Sequence, residues 1–199
     1  MFEDDAVLAA WDFNGPEGTT EPRFGTGWFS LTGGTSLLLA GGEGSSDPAL
    51  RYPPNHCIGI YNFPPQSCGA ETAGVAFLVP SMDHHCLRIA FDAYPDALSN
   101  RWLRLQLTWD EGRSWWNHEV DGEYTRDGLF QLNAPRWHRL SADLAKEPRV
   151  NDNRHFGFRL VTAFAPNEAI YESCGNKSPY SRFGLLFFDM VTVLGKRIR

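Results

Sequence analysis

No apolar run in these 199 residues is long enough to cross a bilayer as a helix. Acids outnumber bases: 18 Lys and Arg face 24 Asp and Glu, a net charge of −6. Arg-rich spots exist at Arg101, Arg104 and Arg113 and at Arg136 and Arg139, but Asp and Glu are interleaved with them. That distribution removes nucleic acid as a partner, because phosphate binding needs clustered positive charge. Cysteine is sparse, and the spacing of Cys57, Cys68, Cys86 and Cys174 matches no zinc-ligand pattern. There is no Gly-x-Ser-x-Gly elbow, no His-Glu-x-x-His pair and no glycine loop that opens a helix. His84 and His85, adjacent at a strand entrance, would point to opposite faces and so not chelate one ion together. The opening Met1-Phe2-Glu3-Asp4-Asp5 is acidic and has no apolar stretch, unlike an export signal. The chain therefore reads as cytosolic, or as a mature domain written without its leader.

Strand patterns dominate what remains. Nineteen Gly and 13 Pro, spread along the chain, suit short strands joined by tight turns. Alternation predicts strands over Val7–Phe13, Trp28–Leu31, Ser36–Leu39, Ala73–Val79, Leu87–Tyr94, Trp102–Leu107, His138–Leu144, Phe156–Phe164 and Leu185–Leu194. The first breaks at the Asn14-Gly15-Pro16 turn, and Gly41 to Pro48 reads as a flexible or ion-binding loop. Pro166 to Ser173 is the one helical possibility, too short and polar to organise a fold. Nine or ten evenly spaced strands predict an all-β, two-sheet antiparallel β-sandwich (a jelly roll), one domain over residues 1–199, closed by pairing of its terminal strands. Cys57 and Cys68 bracket a polar, proline-containing loop that a disulfide would tie, leaving Cys86 and Cys174. Three pairings stay open, as do four free thiols.

Thr108-Trp109-Asp110-Glu111-Gly112-Arg113-Ser114-Trp115 follows the alternating strand directly. Its Asp would accept backbone N–H bonds inside the turn, Gly would supply a positive φ, and the last Trp would fold back onto the hairpin. The stretch resembles the Asp-box of sialidases and of several unrelated extracellular β-proteins, where it is a folding element away from the active site. One copy argues against a propeller, which would repeat it in successive blades.

The order of segments resembles a family of β-jelly-roll domains carried by large secreted bacterial proteins. The matching pieces include Leu8-Ala9-Ala10-Trp11-Asp12-Phe13-Asn14-Gly15, Gly44-Ser45-Ser46-Asp47-Pro48, Ile89-Ala90-Phe91-Asp92, Phe156-Gly157-Phe158-Arg159-Leu160-Val161 and Phe188-Asp189-Met190-Val191-Thr192-Val193. No settled activity travels with that family, so it implies fold more than function. The two ends are also similar to calcium-stabilised jelly-roll carbohydrate-binding modules. That resemblance implies a structural calcium between Asp12 and Asp189, with carbonyls near Asn14 and Gly15 completing an oxygen shell. The plain alternative is a turn cap at Asp12 and an ordinary buried hydrogen bond at Asp189.

Candidate ligand contacts come from the same alternation. With Leu103, Leu105 and Leu107 facing the core, Trp102, Arg104, Gln106 and Thr108 face away from it. A planar ring can stack on the apolar face of a pyranose while Arg and Gln bond its hydroxyls. Arg88 and Tyr94, on the neighbouring predicted strand, are expected to join that face. Its competitor is a Trp102 packed beneath a covering loop and an Arg104 paired with an acid such as Asp92. No acid–base constellation stands out, so a non-catalytic module of a larger exported protein, binding a polysaccharide or cell-surface glycan, is the leading expectation. A small polysaccharide-active enzyme (lyase or glycoside hydrolase) and a structural or adhesion domain are the alternatives.

Overall fold

The computed structural model describes residues 5–15, 19–48 and 54–198. The acidic start, Met1 to Asp4, and Pro16 of the first predicted turn lie outside them. Among the described residues, fourteen strands run in chain order: β1 Ala6–Trp11, β2 Phe24–Gly25, β3 Trp28–Thr32, β4 Ser36–Gly41, β5 His56–Tyr61, β6 Gly74–Leu78 and β7 His84–Pro95. They continue as β8 Trp102–Thr108, β9 Trp116–His118, β10 Thr125–Arg126, β11 Leu129–Gln131, β12 His138–Asp143, β13 Gly157–Thr162 and β14 Leu186–Arg197. A 3-10 turn at Pro148–Val150 is the helical element among the described residues, so the segment 166–173 is not a helix. No helix there is long and apolar enough to cross a membrane.

The strands form two antiparallel sheets, and the protein is a β-sandwich of the expected class. The first sheet has the order β12-β7-β14-β1-β2, with β5 also on β14 and β4 on β5. The second runs β10-β11-β8-β13-β6-β3, with β9 also on β8. Terminal strands β1 and β14 pair, Trp11 opposite Val191. Alternation decides which side chains enter the core: Leu103, Leu105 and Leu107 meet Phe158, Leu160, Val75 and Phe77 from their own sheet and Ile89, Phe91, Phe188 and Val193 from the other. Aromatic contacts thread the interior, with Phe77 stacked on Phe158 at 5.0 Å and edge-on to Trp11 at 4.9 Å.

Sequence reading missed β5. Ile-Gly-Ile-Tyr looked like part of a loop because Gly59 interrupts the pattern. Gly59 lets the strand into the sheet: a Cβ there would sit 2.8 Å from Phe187 and 2.9 Å from Leu38. All four cysteines are free thiols, the alternative in which none of the three pairings forms. Cys57 is buried within β5, and burial pushes its thiol up to about 12. Cys68 lies exposed in the loop beyond.

Candidate functional site

Cross-strand register places the outer face of the β8 sheet in rows. Gln106, Arg159, Ala76 and Ser30 form one row across β8, β13, β6 and β3. Thr108, Gly157, Leu78 and Trp28 form the next. Small residues therefore floor the middle of this face, and the Trp28 ring stands 59% exposed on its β3 edge. The opposite wall comes from the turn after β8. There Asp110 accepts the Ser114 N–H at 2.9 Å and the Thr108 hydroxyl at 2.7 Å, and Gly112 takes φ +80°. The Ser114 N–H is the main reason the Asp110 carboxyl sits below its ordinary range. Trp115 returns over Gly112, 3.1 Å from where a Cβ would stand, and lies 4.6 Å from the Arg159 guanidinium. Two interstrand spacings separate β3 from β13, so the trough between Trp28 and Arg159 is roughly 10 Å wide. At the Trp28 end it opens into a cavity of about 240 Å³ that Leu78, Glu111, Arg154 and His155 help to line.

The polar side chains of this face hold one another. Arg159 Nε donates to Gln106 Oε1 at 2.6 Å, and Gln106 Nε2 donates to Asn117 Oδ1 at 2.6 Å. Asn117 Nδ2 reaches Glu71 Oε2 at 3.2 Å, while Arg104 Nε reaches Glu71 Oε1 at 3.1 Å. Arg104 also donates to the Gly128 carbonyl at 3.0 Å. Burial lowers the pKa of Arg159, and the charge of Glu71 opposes that shift.

Most of the residues expected here stand elsewhere or are covered. Trp102 is on the outward side of β8, yet only 1% exposed, packed with Leu129 and Ala163. Its Nε1 donates to Glu172 at 2.9 Å, and Arg101 N–H bonds the Glu172 carbonyl, so the 172 segment seals the ring. Alternation fixes a side chain's direction and says nothing of what crosses above it. Arg104 is paired with Glu71 rather than Asp92, and Gln106 is 6% exposed beneath its partners. Arg88 and Tyr94 belong to β7, which lies in the other sheet, so they do not share the face of β8. Arg88 is ion-paired with Asp5, and Tyr94 is wedged edge-on between Trp137 and Phe187. Arg159 and Trp28 went unrecognised. The inward Phe158 and Leu160 were signal enough to place Arg159 outward; nothing local marked Trp28 as exposed.

The two expected metal ligands each have protein partners of their own. Asp12 is closed in an ion pair with Arg23 at 2.6 Å and accepts the Asn14 N–H. It lines a separate cavity of about 380 Å³ with Phe24, Asp47 and Met190. Asp189 is fully buried on β14, in register with Asp92 on β7. It accepts the Ser45 hydroxyl at 2.6 Å and the Met190 N–H at 2.7 Å. Burial above all, helped by the charges of Asp47 and Asp92, pushes its carboxyl up to about 7. Among the described residues no three Asp, Glu, His or Cys side chains converge as a metal cage. One orphan does sit there: Asn55 Oδ1 is buried without a donor, and it and Asp189 Oδ2 both lie within 3.0 Å of where a Cβ on Gly42 would be. Asp189 and Asn55 Oδ1 are two oxygen donors of the kind calcium takes, side by side under Gly42.

No family model matches the chain, and no curated protein matches it. Solved structures do. The CBM22-1–GH10 modules of the Clostridium thermocellum endo-1,4-β-D-xylanase 10B, crystallised with xylohexaose, align over 100% of this chain at TM-score 0.55 and 10% identity. This chain spans 30% of that one. A xylan-binding domain from CBM 22 aligns over 97% of both chains at TM-score 0.52 and 10% identity. Both are similar to this protein in fold, the β-sandwich of carbohydrate-binding modules.

Proposed function

We propose that this protein is a non-catalytic carbohydrate-binding module of a larger exported protein, and that it takes a polysaccharide chain into the trough between Trp28 and Trp115. The observation that carries the proposal is the exposed Trp28 ring at the rim of a floor of small residues, Ser30 and Ala76, with Arg159 and Asn117 beside it. A pyranose would stack its apolar face on Trp28 and offer hydroxyls to the polar row. The shared fold with a xylan-binding domain, and with a module joined to a catalytic unit in one chain, supports the reading. So does the chemistry of the face: Glu71, which lies on it, has both carboxylate oxygens engaged, by Arg104 and Asn117. A hydrolase needs two carboxyl groups with separated roles at the site.

The same proposal carries a structural calcium ion held by Asp189 and Asn55 Oδ1 under the loop 42–47. The ion would neutralise buried negative charge and pin that loop to the sheet. Affinity electrophoresis through gels containing xylan, mannan or mixed-linkage glucan tests the binding. Wild type should be retarded by at least one polymer, and Trp28→Ala should run free with an unchanged melting curve. Retardation that survives Trp28→Ala would place the site elsewhere, and release of reducing sugar would replace the module with an enzyme.

A further inference from the structure

Arg159 is the group this face leaves incomplete. Arg104, Arg101, Arg23 and Arg88 each have a carboxylate partner, whereas Arg159 has no ion pair among the described residues. The nearest acid, Glu71, has both oxygens engaged, one by Arg104 and the other by Asn117. What Glu71 offers Arg159 is its backbone carbonyl, 3.5 Å from Nη2. Nη1 makes no hydrogen bond to the described residues, and it is not among the buried unpaired atoms, so it is not sealed within the protein. A guanidinium carries five N–H donors in a rigid fork, and here the fork is already aimed. Nε is fixed on Gln106 at 2.6 Å, and the Trp115 ring lies 4.6 Å from its centre. Ordering a flexible Arg normally costs rotamer entropy, and the protein has met that cost before any ligand arrives.

Charge along the trough is less negative than that of the whole chain. Arg104, Arg154 and Arg159 balance Glu71, Glu111 and Asp110 along the trough, on a protein whose net charge is −6. Burial disfavours the charged form of Arg159, so an anion placed against it would relieve the site. A neutral sugar hydroxyl accepts one hydrogen bond from such a fork; a carboxylate accepts two in parallel.

We infer that the trough selects acidic polysaccharides, with a uronic-acid carboxylate of the chain docked on the Nη edge of Arg159. This rests on the reading of the trough as the glycan site. The probes are polygalacturonate and glucuronate-bearing xylan, each beside the same polymer with its carboxylates chemically reduced to alcohols. A sulfated glycan is a further arm. Wild type should bind the uronate polymers at least tenfold more tightly than their reduced forms, as losing a charged hydrogen-bond pair implies. That preference should shrink as ionic strength rises. Arg159→Gln should bind the acidic and reduced forms alike, and Arg159→Lys, which keeps the charge but not the fork, should fall between. The reduced polymers test the idea even if an Arg159 variant misfolds. Equal binding of acidic and reduced polymers by wild type would overturn the inference and leave the glycan trough standing. Tighter binding of the sulfated glycan than of either uronate would overturn the carboxylate assignment. Binding of none of these polymers would overturn the inference, and the trough reading falls with it only if xylan, mannan and mixed-linkage glucan also fail to bind.

Discussion

Replacing Asp189 with Asn should stabilise the metal-free protein at alkaline pH and do little at pH 4. Asp189 is fully buried, faces Asp92 across the strand pair and feels Asp47 as well, so its carboxyl rises from 3.8 to about 7. A carboxyl raised on folding keeps its proton longer in the native state than in the unfolded chain. The contribution of Asp189 to native stability is therefore fullest below about pH 4 and declines as pH climbs towards 7. At about 1.4 kcal/mol per pH unit the difference sets a ceiling on the order of 4 kcal/mol. Water penetration and relaxation around the buried pair reduce this, and about 2 kcal/mol is the working expectation. In a domain of this size that is a Tm difference of roughly 4–8 °C. Asn suits the position, since its oxygen can still accept from Met190 or Ser45 and its amide can supply the donor that Asn55 Oδ1 lacks. The assay is thermal unfolding in chelator at pH 4, 6 and 8, repeated at pH 8 with calcium. The Asp189→Asn variant should melt above wild type at pH 8, with the gap closing towards pH 4. Calcium should raise the wild-type Tm and not that of the variant. A gap independent of pH would refute the electrostatic argument, and a wild-type Tm indifferent to calcium would remove the metal from the proposal.

Trp102→Ala should cost about 3–5 kcal/mol of stability, as deletion of a buried Trp does, because the ring is sealed with its N–H on Glu172. Glycan retardation per folded molecule should be unchanged, and lost retardation with a normal melting curve would contradict the burial. His138 tests the acid limb. It is 1% exposed, and burial holds it below the usual histidine range. Its neutral form is the native one, so its contribution is complete above about pH 6.5 and is lost as pH falls below that value. His138→Phe should flatten the fall of Tm between pH 6.5 and 5, and an unaltered fall would assign it to other groups.

Much of the fold was legible because a period of two survives without tertiary context. Leu103, Leu105 and Leu107 point inward wherever β8 is placed, and the paired ends followed from two strongly strand-like termini. The turn at 108–115 was legible for a similar reason: Asp, Gly and Ser make local bonds whatever surrounds them. Gly59 hid β5 because its reason for being glycine is Phe187, far away in sequence.

Local pattern by itself determined which side of each strand is apolar, how the hairpin turns and that the chain makes sheets. Only the tertiary structure decided which strands share a sheet, and so that Arg88 and Tyr94 stand apart from β8. It also decided what is covered: Glu172 closes over Trp102, Arg23 claims Asp12, and Trp28 stays bare at a sheet edge. The physical reason is the range of the interactions. Backbone alternation is set by bonds between neighbours, whereas exposure, ion pairing and an unfilled guanidinium depend on segments that sequence distance keeps apart and folding brings together.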